Sequence, residues 1–274
     1  MRLVTRVVEH HSRADSWYLR PLGDIHLGSV NCDEAQLDRD IKWILENDAM
    51  WIGMGDYLEC ITRKDRRFRP QDQAEWLRGE DDVAEAQLQR FVAKLQPIKN
   101  KCVGLIKGNH EDLIYDKWDN DIYGRLLYYL KVPEQRVRLD TRGFVRLLFR
   151  RRTGEGPRSF STITLDIFAE HGYGGGRLEG APALALARLS KNYHARIFIE
   201  GHRHRELSFV DERVRVSGGK LVGEKLAFVC SGSYLLSWQE DTEIYAERGQ
   251  YPPKPTGSAV IWIKPWTDEI TVTI

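Results

Sequence analysis

Short apolar runs recur along the chain, and several of them end in glycine followed by carboxylate, amide or imidazole side chains. An apolar run of about four to eight residues between polar ones is typical of a buried strand. The clearest runs are 49–54, 102–106 and 195–200, and weaker strand patterns cover 4–8, 17–20, 142–151 and 161–169. Polar residues that follow such strands gather at one edge of a sheet, where α/β proteins bind their ligands.

Apolar residues at helical spacing occupy the segments between these strands. The segments are 33–47, 82–95, 118–130 and 182–193. Asp33 stands at an N-cap position, and Pro182 suits the first position of a helix. Strands that alternate with helices predict an α/β protein whose parallel strands are joined by right-handed crossovers.

The pattern changes after His204, where the remaining strands are predicted to be short. They are expected at 207–210, 226–230, 258–263 and 269–274, with a turn at 220–225. No linker, low-complexity segment or internal repeat separates the two halves of the sequence. We therefore predict a single domain over residues 1–274 that contains two sheets.

The charge of the chain is balanced, with 41 Lys and Arg residues against 40 Asp and Glu residues and a net charge of +1. The net charge therefore gives the protein no overall electrostatic attraction to nucleic acid or to a membrane surface. The N-terminal residues lack a signal-peptide pattern, and no apolar run approaches the roughly 20 residues that span a bilayer. The four cysteines are scattered, which favours a reduced, cytoplasmic protein over a disulfide-bonded one.

Metal-type side chains follow the apolar runs at five places. They are Asp24, His26, Asp56, Asn109, His110, His171, His202 and His204. Asp24 and His26 stand two positions apart, as do His202 and His204, so in an extended backbone both members of a pair can face one site. Taken alone, each pair is also compatible with a helix cap or with solvent-exposed side chains. Carboxylate, amide and imidazole donors without thiolates suit first-row divalent ions better than a structural zinc site.

Seven of these residues, all but His110, are more ligands than one catalytic ion with an open position takes. The set instead suits two ions about 3.5–4 Å apart that share a bridging carboxylate. Two divalent ions, two aspartates and a bridging hydroxide leave a positive remainder. That remainder fits a phosphoryl group, which gains charge during in-line attack.

Five motifs follow one another along the chain. They are Asp-x-His at Asp24, Gly-Asp at Asp56, Gly-Asn-His-Glu at Asn109, His-Gly at His171 and Gly-His-x-His at His202. In this order the motifs resemble those of calcineurin-like metallophosphoesterases, over most of the chain from Asp24 to His204. The resemblance implies a four-layer αββα sandwich with two mixed β-sheets, a metal pair at the strand ends, and hydrolysis of phosphate esters.

The resemblance also implies a role for each motif residue. One ion would be held by Asp24, His26 and His204, the other by Asn109, His171 and His202, and the bridge between them would be Asp56. His110 would donate a proton to the leaving oxygen, and Glu59 stands where relatives place an acid that orients this histidine. Glu59 replaces the Asp of those relatives, and Cys60-Ile61 replaces the Arg-Gly of protein Ser/Thr phosphatases, which argues against that subclass.

These features predict a phosphodiesterase that depends on two divalent metal ions and uses a metal-bridging hydroxide as nucleophile and His110 as proton donor. The donor set accepts Mn, Fe, Zn, Co or Ni. A nuclease acting on DNA or RNA is the nearest alternative, because the basic segments from Arg63 to Arg69 and from Arg150 to Arg152 are either polyanion-binding or solvated loops. A phosphomonoesterase is a further alternative. A non-catalytic scaffold is disfavoured because every expected position is filled.

Overall fold

The computed structural model describes residues 1–156, 159–174, 180–240 and 244–274, and of residue 245 only the backbone. Its helices are α1 (Glu34–Glu46), α2 (Val83–Leu95), α3 (Asn109–Trp118), α4 (Ile122–Leu130), α5 (Ala181–Asn192) and α6 (Tyr245–Arg248). Its strands are β1 (Arg2–His10), β2 (Trp17–Leu22), β3 (Met50–Gly53), β4 (Cys102–Leu105), β5 (Arg142–Arg152), β6 (Phe160–Glu170), β7 (Ile197–Glu200), β8 (Glu206–Ser217), β9 (Lys220–Ser233), β10 (Gly257–Ser258), β11 (Val260–Lys264) and β12 (Glu269–Thr273).

The strands form two mixed sheets. The larger sheet has the order β1-β5-β6-β7-β9-β10, with β8 also paired to β9, and the smaller has the order β12-β11-β2-β3-β4. In the smaller sheet β2, β3 and β4 are parallel neighbours, whereas β11 runs antiparallel to β2. In the larger sheet β6, β7 and β9 are parallel, whereas β5 runs antiparallel to β6.

The inner faces of the two sheets pack against each other. Alternate residues of each strand supply this core, so that Ile52 of β3 and Ile261 of β11 are buried together with Val145 of β5 and Ile167 of β6. The neighbours of these residues point to the opposite face of each sheet, because side chains alternate along a strand. Two helix layers cover those opposite faces.

Helices α1, α2 and α4 cover the outer face of the smaller sheet, where Trp51 of β3 is buried among apolar side chains such as Leu88 and Leu126. Helix α5 covers the larger sheet, and its Leu186 packs against Phe168 and Phe198. The layers therefore follow the order helix, sheet, sheet, helix. The predicted αββα sandwich with two mixed sheets is confirmed.

The helices predicted over 33–47 and 82–95 are confirmed, and the first begins after Asp33, the predicted N-cap residue. The carboxylate of Asp33 accepts a hydrogen bond from the Gln36 amide at 2.9 Å, and Asp82 caps α2 in the same way. The helix predicted over 118–130 is wrong at its start, because α3 ends at Trp118 and α4 begins only at Ile122. Asp119 adopts a left-handed backbone (φ 51°) that ends α3, and Asp121 caps α4.

The strands predicted at 207–210 and 226–230 lie within β8 and β9, but their predicted lengths are wrong, and so is the turn predicted at 220–225. Strands β8 and β9 instead form one hairpin of 12 and 14 residues, and 220–225 belongs to β9. Gly218 and Gly219 form the two-residue turn with φ values of 57° and 74°, which favour glycine. Both faces of the outer hairpin are exposed, so its valines alternate with charged residues instead of forming an apolar run.

Five strand ends reach one region of the sandwich. The chain leaves β2 before Asp24, β3 before Asp56, β4 before Asn109, β6 before His171 and β7 before His202. Strands β2, β3 and β4 are parallel to one another, as are β6 and β7, so within each sheet their carboxyl ends share an edge. None of the described helices has both the length and the apolar character needed to cross a membrane. All four cysteines are free thiols.

Candidate metal centre

Backbone hydrogen bonds join the loops after β2 and β3. The Asp24 amide donates to the Gly55 carbonyl at 3.0 Å, and the Ile25 and His26 amides donate to the Asp56 carbonyl at 2.9 and 3.0 Å. The loop after β4 approaches the loop after β3 just as closely. Glycine permits this contact, since a Cβ on Gly108 would lie 2.1 Å from the Asp56 amide nitrogen. The three loops therefore form one interlocked unit.

Five of the seven sequence-predicted ligands adopt a left-handed backbone conformation. Their φ values lie between 47° and 64°, and the residues are Asp24, His26, Asp56, His202 and His204. This conformation costs an L-residue roughly 1–2 kcal/mol, less for Asp, whose short side chain can hydrogen-bond locally. Such strain concentrates at functional sites, where surrounding structure holds it in place.

The first group of metal-type atoms belongs to Asp24, His26 and His204, and these atoms lie within 4.8 Å of one another. His26 Nδ1 donates to a Glu59 carboxylate oxygen at 3.0 Å, so Nε2 is the ring nitrogen that can bind a metal ion in place of a proton. That Nε2 lies 3.3 Å from His204 Nε2, which in turn lies 3.6 Å from Asp24 Oδ1. Asp24 Oδ1 is buried and accepts no hydrogen bond within the described structure. Converging lone pairs of this kind fit a cation.

The second group contains Asp56, His171 and His202, with Asn109 beside it. His171 Nδ1 donates to the Met54 carbonyl at 2.7 Å, so Nε2 is the ring nitrogen that can bind a metal ion in place of a proton. His171 Nε2 lies 3.0 Å from Asn109 Oδ1 and 3.3 Å from Asp56 Oδ2. Among the described residues His202 Nδ1 is buried without a hydrogen-bond partner. These donors also fit a divalent ion.

Asp56 reaches both groups. Its Oδ2 lies 3.3 Å from His171 Nε2 and 3.9 Å from His26 Nε2. Its Oδ1 accepts a hydrogen bond from the His110 amide at 2.9 Å, which fixes the direction of the carboxylate. The Asp56 carboxylate thus occupies the position between the two groups that a shared ligand requires.

The charges in the centre act strongly on its histidines. Burial lowers the pKa of His26, but nearby carboxylates led by Glu59 outweigh burial and raise that pKa to about 9. Burial also lowers the pKa of His171, but the nearby Asp56 carboxylate outweighs burial and raises that pKa to about 10. Burial and the adjacent His171 lower the pKa of His202 to about 4. Carboxylates that hold protons on imidazoles this firmly are also suited to hold divalent cations in place of those protons.

His110 lies at the start of α3, beside the first group. Its Nδ1 donates to the backbone carbonyl of Glu59 at 2.5 Å, and its ring centroid lies 4.5 Å from that of His26. The Glu59 carboxylate bonds to His26 instead of His110. The hydrogen bond between Glu59 and His110 therefore runs through the Glu59 main chain, although the Glu59 carboxylate lies close to both histidines.

Glu111 is a site residue whose role the sequence reasoning missed. Its carboxylate is buried and accepts hydrogen bonds from the amides of Asp56, Tyr57, Leu58 and Gly108 at 2.8–3.3 Å. The signal was present in the sequence, because a Glu three residues after the residue that precedes a helix is typical of a capping box. Here the same carboxylate also holds the loop after β3.

Other residues near the motifs have structural contacts. Arg203 pairs with the Glu200 carboxylate at 3.0 Å, and Tyr57 is fully buried with its hydroxyl donating to the Ile106 carbonyl at 2.7 Å. The basic segment from Arg150 to Arg152 lies at the opposite end of the β5–β6 pair from His171. The separation is roughly 30 Å at the usual rise per strand residue.

A cavity of about 620 Å³ opens over the centre. His26, Asp56, Asn109, His110, His202 and His204 line one side of it, and residues 66–69 line another. A depression of similar volume near Trp76 contains none of the sequence-predicted site residues. Six of the eight metal-type residues named from the sequence therefore line the first cavity.

Three solved structures resemble the chain. They are a conserved uncharacterized protein described as a predicted phosphoesterase from Streptococcus pneumoniae (14% identity, TM-score 0.28, 91% of this chain and 84% of that chain), a Vps29 double mutant from Entamoeba histolytica (10%, 0.34, 90% and 84%), and a metallophosphoesterase from Sphaerobacter thermophilus (11%, 0.37, 93% and 87%). No family model and no curated protein matches the chain.

Two of the three are described as phosphoesterases, the Streptococcus pneumoniae protein as a predicted phosphoesterase and the Sphaerobacter thermophilus protein as a metallophosphoesterase. The two mixed sheets between helix layers, observed in this chain itself, are consistent with the metallophosphoesterase fold that the motifs indicate.

Proposed function

We propose that this chain is a metal-dependent phosphodiesterase with two divalent ions. One observation carries the proposal: metal-type side chains from five strand ends lie within a few ångströms of one another beside a single cavity. Asp24, His26 and His204 would hold one ion, Asn109, His171 and His202 the other, and Asp56 both. The absence of thiolates from this set favours Mn, Fe, Zn, Co or Ni at a catalytic centre over a structural zinc.

Divalent ions in this position activate the attacking oxygen and neutralise the charge that develops on the phosphoryl group. The chain supplies the remaining parts. The Glu59 carbonyl and the Asp56 carboxylate hold the ring and the amide of His110. Because Nδ1 donates to the Glu59 carbonyl, the proton delivered to the leaving alcohol would be the one that Nε2 carries when His110 is an imidazolium.

A diester is the preferred substrate for two reasons. The segment Cys60-Ile61 replaces the Arg-Gly that protein Ser/Thr phosphatases carry, which argues against a phosphoprotein. The cavity of about 620 Å³ is within the range of roughly 300–1,000 Å³ that encloses ligands much larger than a single phosphate. It therefore offers room for substituents on both sides of a phosphoryl group.

The test is a panel of substrates assayed with each metal in turn. The panel compares a phosphodiester, a phosphomonoester, a cyclic nucleotide, and single- and double-stranded DNA. We expect hydrolysis of the diester to exceed that of the monoester, and to be lost in His110→Ala but not in the control His194→Ala, whose histidine is exposed outside the site. Preference for the monoester would make the chain a phosphomonoesterase. Metal binding without hydrolysis of any substrate would support a scaffold.

A further inference from the structure

The cavity over the metal centre has a basic wall formed by residues 66–69. Arg66, Arg67, Phe68 and Arg69 all line the cavity that also contains His110. None of these four residues belongs to the metal-type groups. They therefore face the space that a substrate would occupy and not the metal positions.

Two of the arginines in this cavity are already neutralised. Arg67 forms two hydrogen bonds of 3.1 Å with the buried carboxylate of Asp65, and Arg248 pairs with Asp72 at 2.7 Å. Arg66 and Arg69 differ, since neither side chain forms a hydrogen bond or ion pair with a described residue. Both are exposed. Two cationic groups therefore remain for an anion that enters the cavity.

The wall is held at a fixed position relative to the metal centre. The Ala74 amide donates to the Gly28 carbonyl at 2.9 Å, and the Val30 amide donates to the Asp72 carbonyl at 2.8 Å. These bonds join the end of the basic segment to the loop that carries His26. At its other end, Asp65 accepts from the Arg67 amide at 2.9 Å and from Lys117 at 3.2 Å. The guanidinium groups of Arg66 and Arg69 thus project from an anchored loop.

The scissile phosphate does not need these arginines, because two divalent ions would already neutralise it. We infer that Arg66 and Arg69 bind a second phosphate group of the substrate. This inference rests on the proposed function and narrows it to phosphodiesters that carry another phosphate nearby. An oligonucleotide strand has this chemistry. A dinucleoside polyphosphate presents neighbouring phosphates in a similar way, but they are joined by anhydride bonds, so it serves as the comparison. The half-buried ring of Phe68 in the same wall supplies an aromatic surface on which a base can stack.

The test compares a substrate that has only the scissile phosphate with substrates that carry further phosphates. Thymidylyl-thymidine has a single diester and no other phosphate, and it is compared with the same dinucleotide bearing a 5′-phosphate, with one bearing a 3′-phosphate, and with a dinucleoside tetraphosphate. We expect kcat/KM for at least one doubly phosphorylated substrate to exceed that for thymidylyl-thymidine by about tenfold. The preference should weaken as salt rises. The preferred substrate distinguishes the oligonucleotide from the polyphosphate.

The readout for the variants is the ratio of kcat/KM for the preferred substrate with a further phosphate to kcat/KM for thymidylyl-thymidine. Arg66→Gln combined with Arg69→Gln should bring the ratio close to one, and the corresponding pair of lysine substitutions should retain most of it. Arg136→Gln is the matched control, since Arg136 is an exposed arginine outside the cavity. A wild-type ratio near one, or an unchanged ratio in the double Gln variant, would overturn the inference while leaving the diesterase intact. Failure of the wild type to cleave thymidylyl-thymidine and every other diester would remove the proposed function as well.

Discussion

The carboxylate of Glu111 is expected to determine whether the loop after β3 keeps its shape. Its Oε2 accepts from the amides of Asp56 and Gly108 at 3.0 and 2.9 Å, and its Oε1 accepts from those of Tyr57 and Leu58 at 2.8 and 3.3 Å. Glutamine has the same size, but only one of its two terminal atoms accepts hydrogen bonds. In Glu111→Gln, two buried amides therefore face an NH₂ group.

The size of the effect follows from the number of bonds lost. An unsatisfied buried donor costs about 1–3 kcal/mol, so two of them predict a loss of roughly 2–6 kcal/mol in the free energy of unfolding. A native domain has only about 5–15 kcal/mol in total. The variant should thus be strongly destabilised, and displacement of the Asp56 loop should also weaken metal binding by about 10- to 100-fold.

Urea unfolding followed by circular dichroism, with a chelator present, measures the first effect without a contribution from bound metal. Metal affinity is then measured by titration of the chelated protein. Asp116→Asn is the matched control, because Asp116 lies exposed on the same helix and should change stability by less than about 0.5 kcal/mol. A loss below about 1 kcal/mol in Glu111→Gln, together with unchanged metal affinity, would refute the assigned role of the carboxylate.

Three further substitutions test the centre itself. His110→Ala should keep both metals yet lower turnover by about 10²–10⁴; elemental analysis and kcat measure the two effects, and normal turnover would exclude His110 as proton donor. Asp56→Asn should reduce occupancy of both metal positions, and a fully loaded, active variant would show that Asp56 is not shared. Gly108→Ala would place a Cβ 2.1 Å from the Asp56 amide nitrogen, so we expect a lower melting temperature and weaker metal binding. An unchanged melting temperature would mean that the two loops can separate at little cost.

The architecture and the membership of the site were accessible from the sequence for a physical reason. Buried strands such as β3 and β4 are read from apolar runs, and a parallel sheet places their carboxyl ends at one edge. Residues that follow those strands must therefore approach one another. The structure brings all eight metal-type residues named from the sequence to this region, although their assignment to two ions stays a prediction.

The partners of individual side chains were not accessible. Whether Glu59 bonds to His110 or to His26 depends on the length of one side chain across two loops, which residue spacing does not encode. Helix α3 was missed because Gly108 has no capping side chain and the helix buries little of its surface. The long β8–β9 hairpin was missed because exposed strands lack a one-sided apolar pattern.

The left-handed backbone of the candidate ligand residues shows how their side chains are directed toward one another. An extended backbone would direct His26 and Asp24 alike, as the sequence reasoning assumed, but both residues have φ near 50°. Their directions are fixed by bonds between protein groups, because the Asp24 and His26 amides bond to the loop after β3 and the His202 amide donates to Asp24 Oδ2 at 2.8 Å. Glu111 in turn holds that loop through the amides around Asp56. The interlocked loops, and not the two-residue spacing of the motifs, therefore aim these donors at one another.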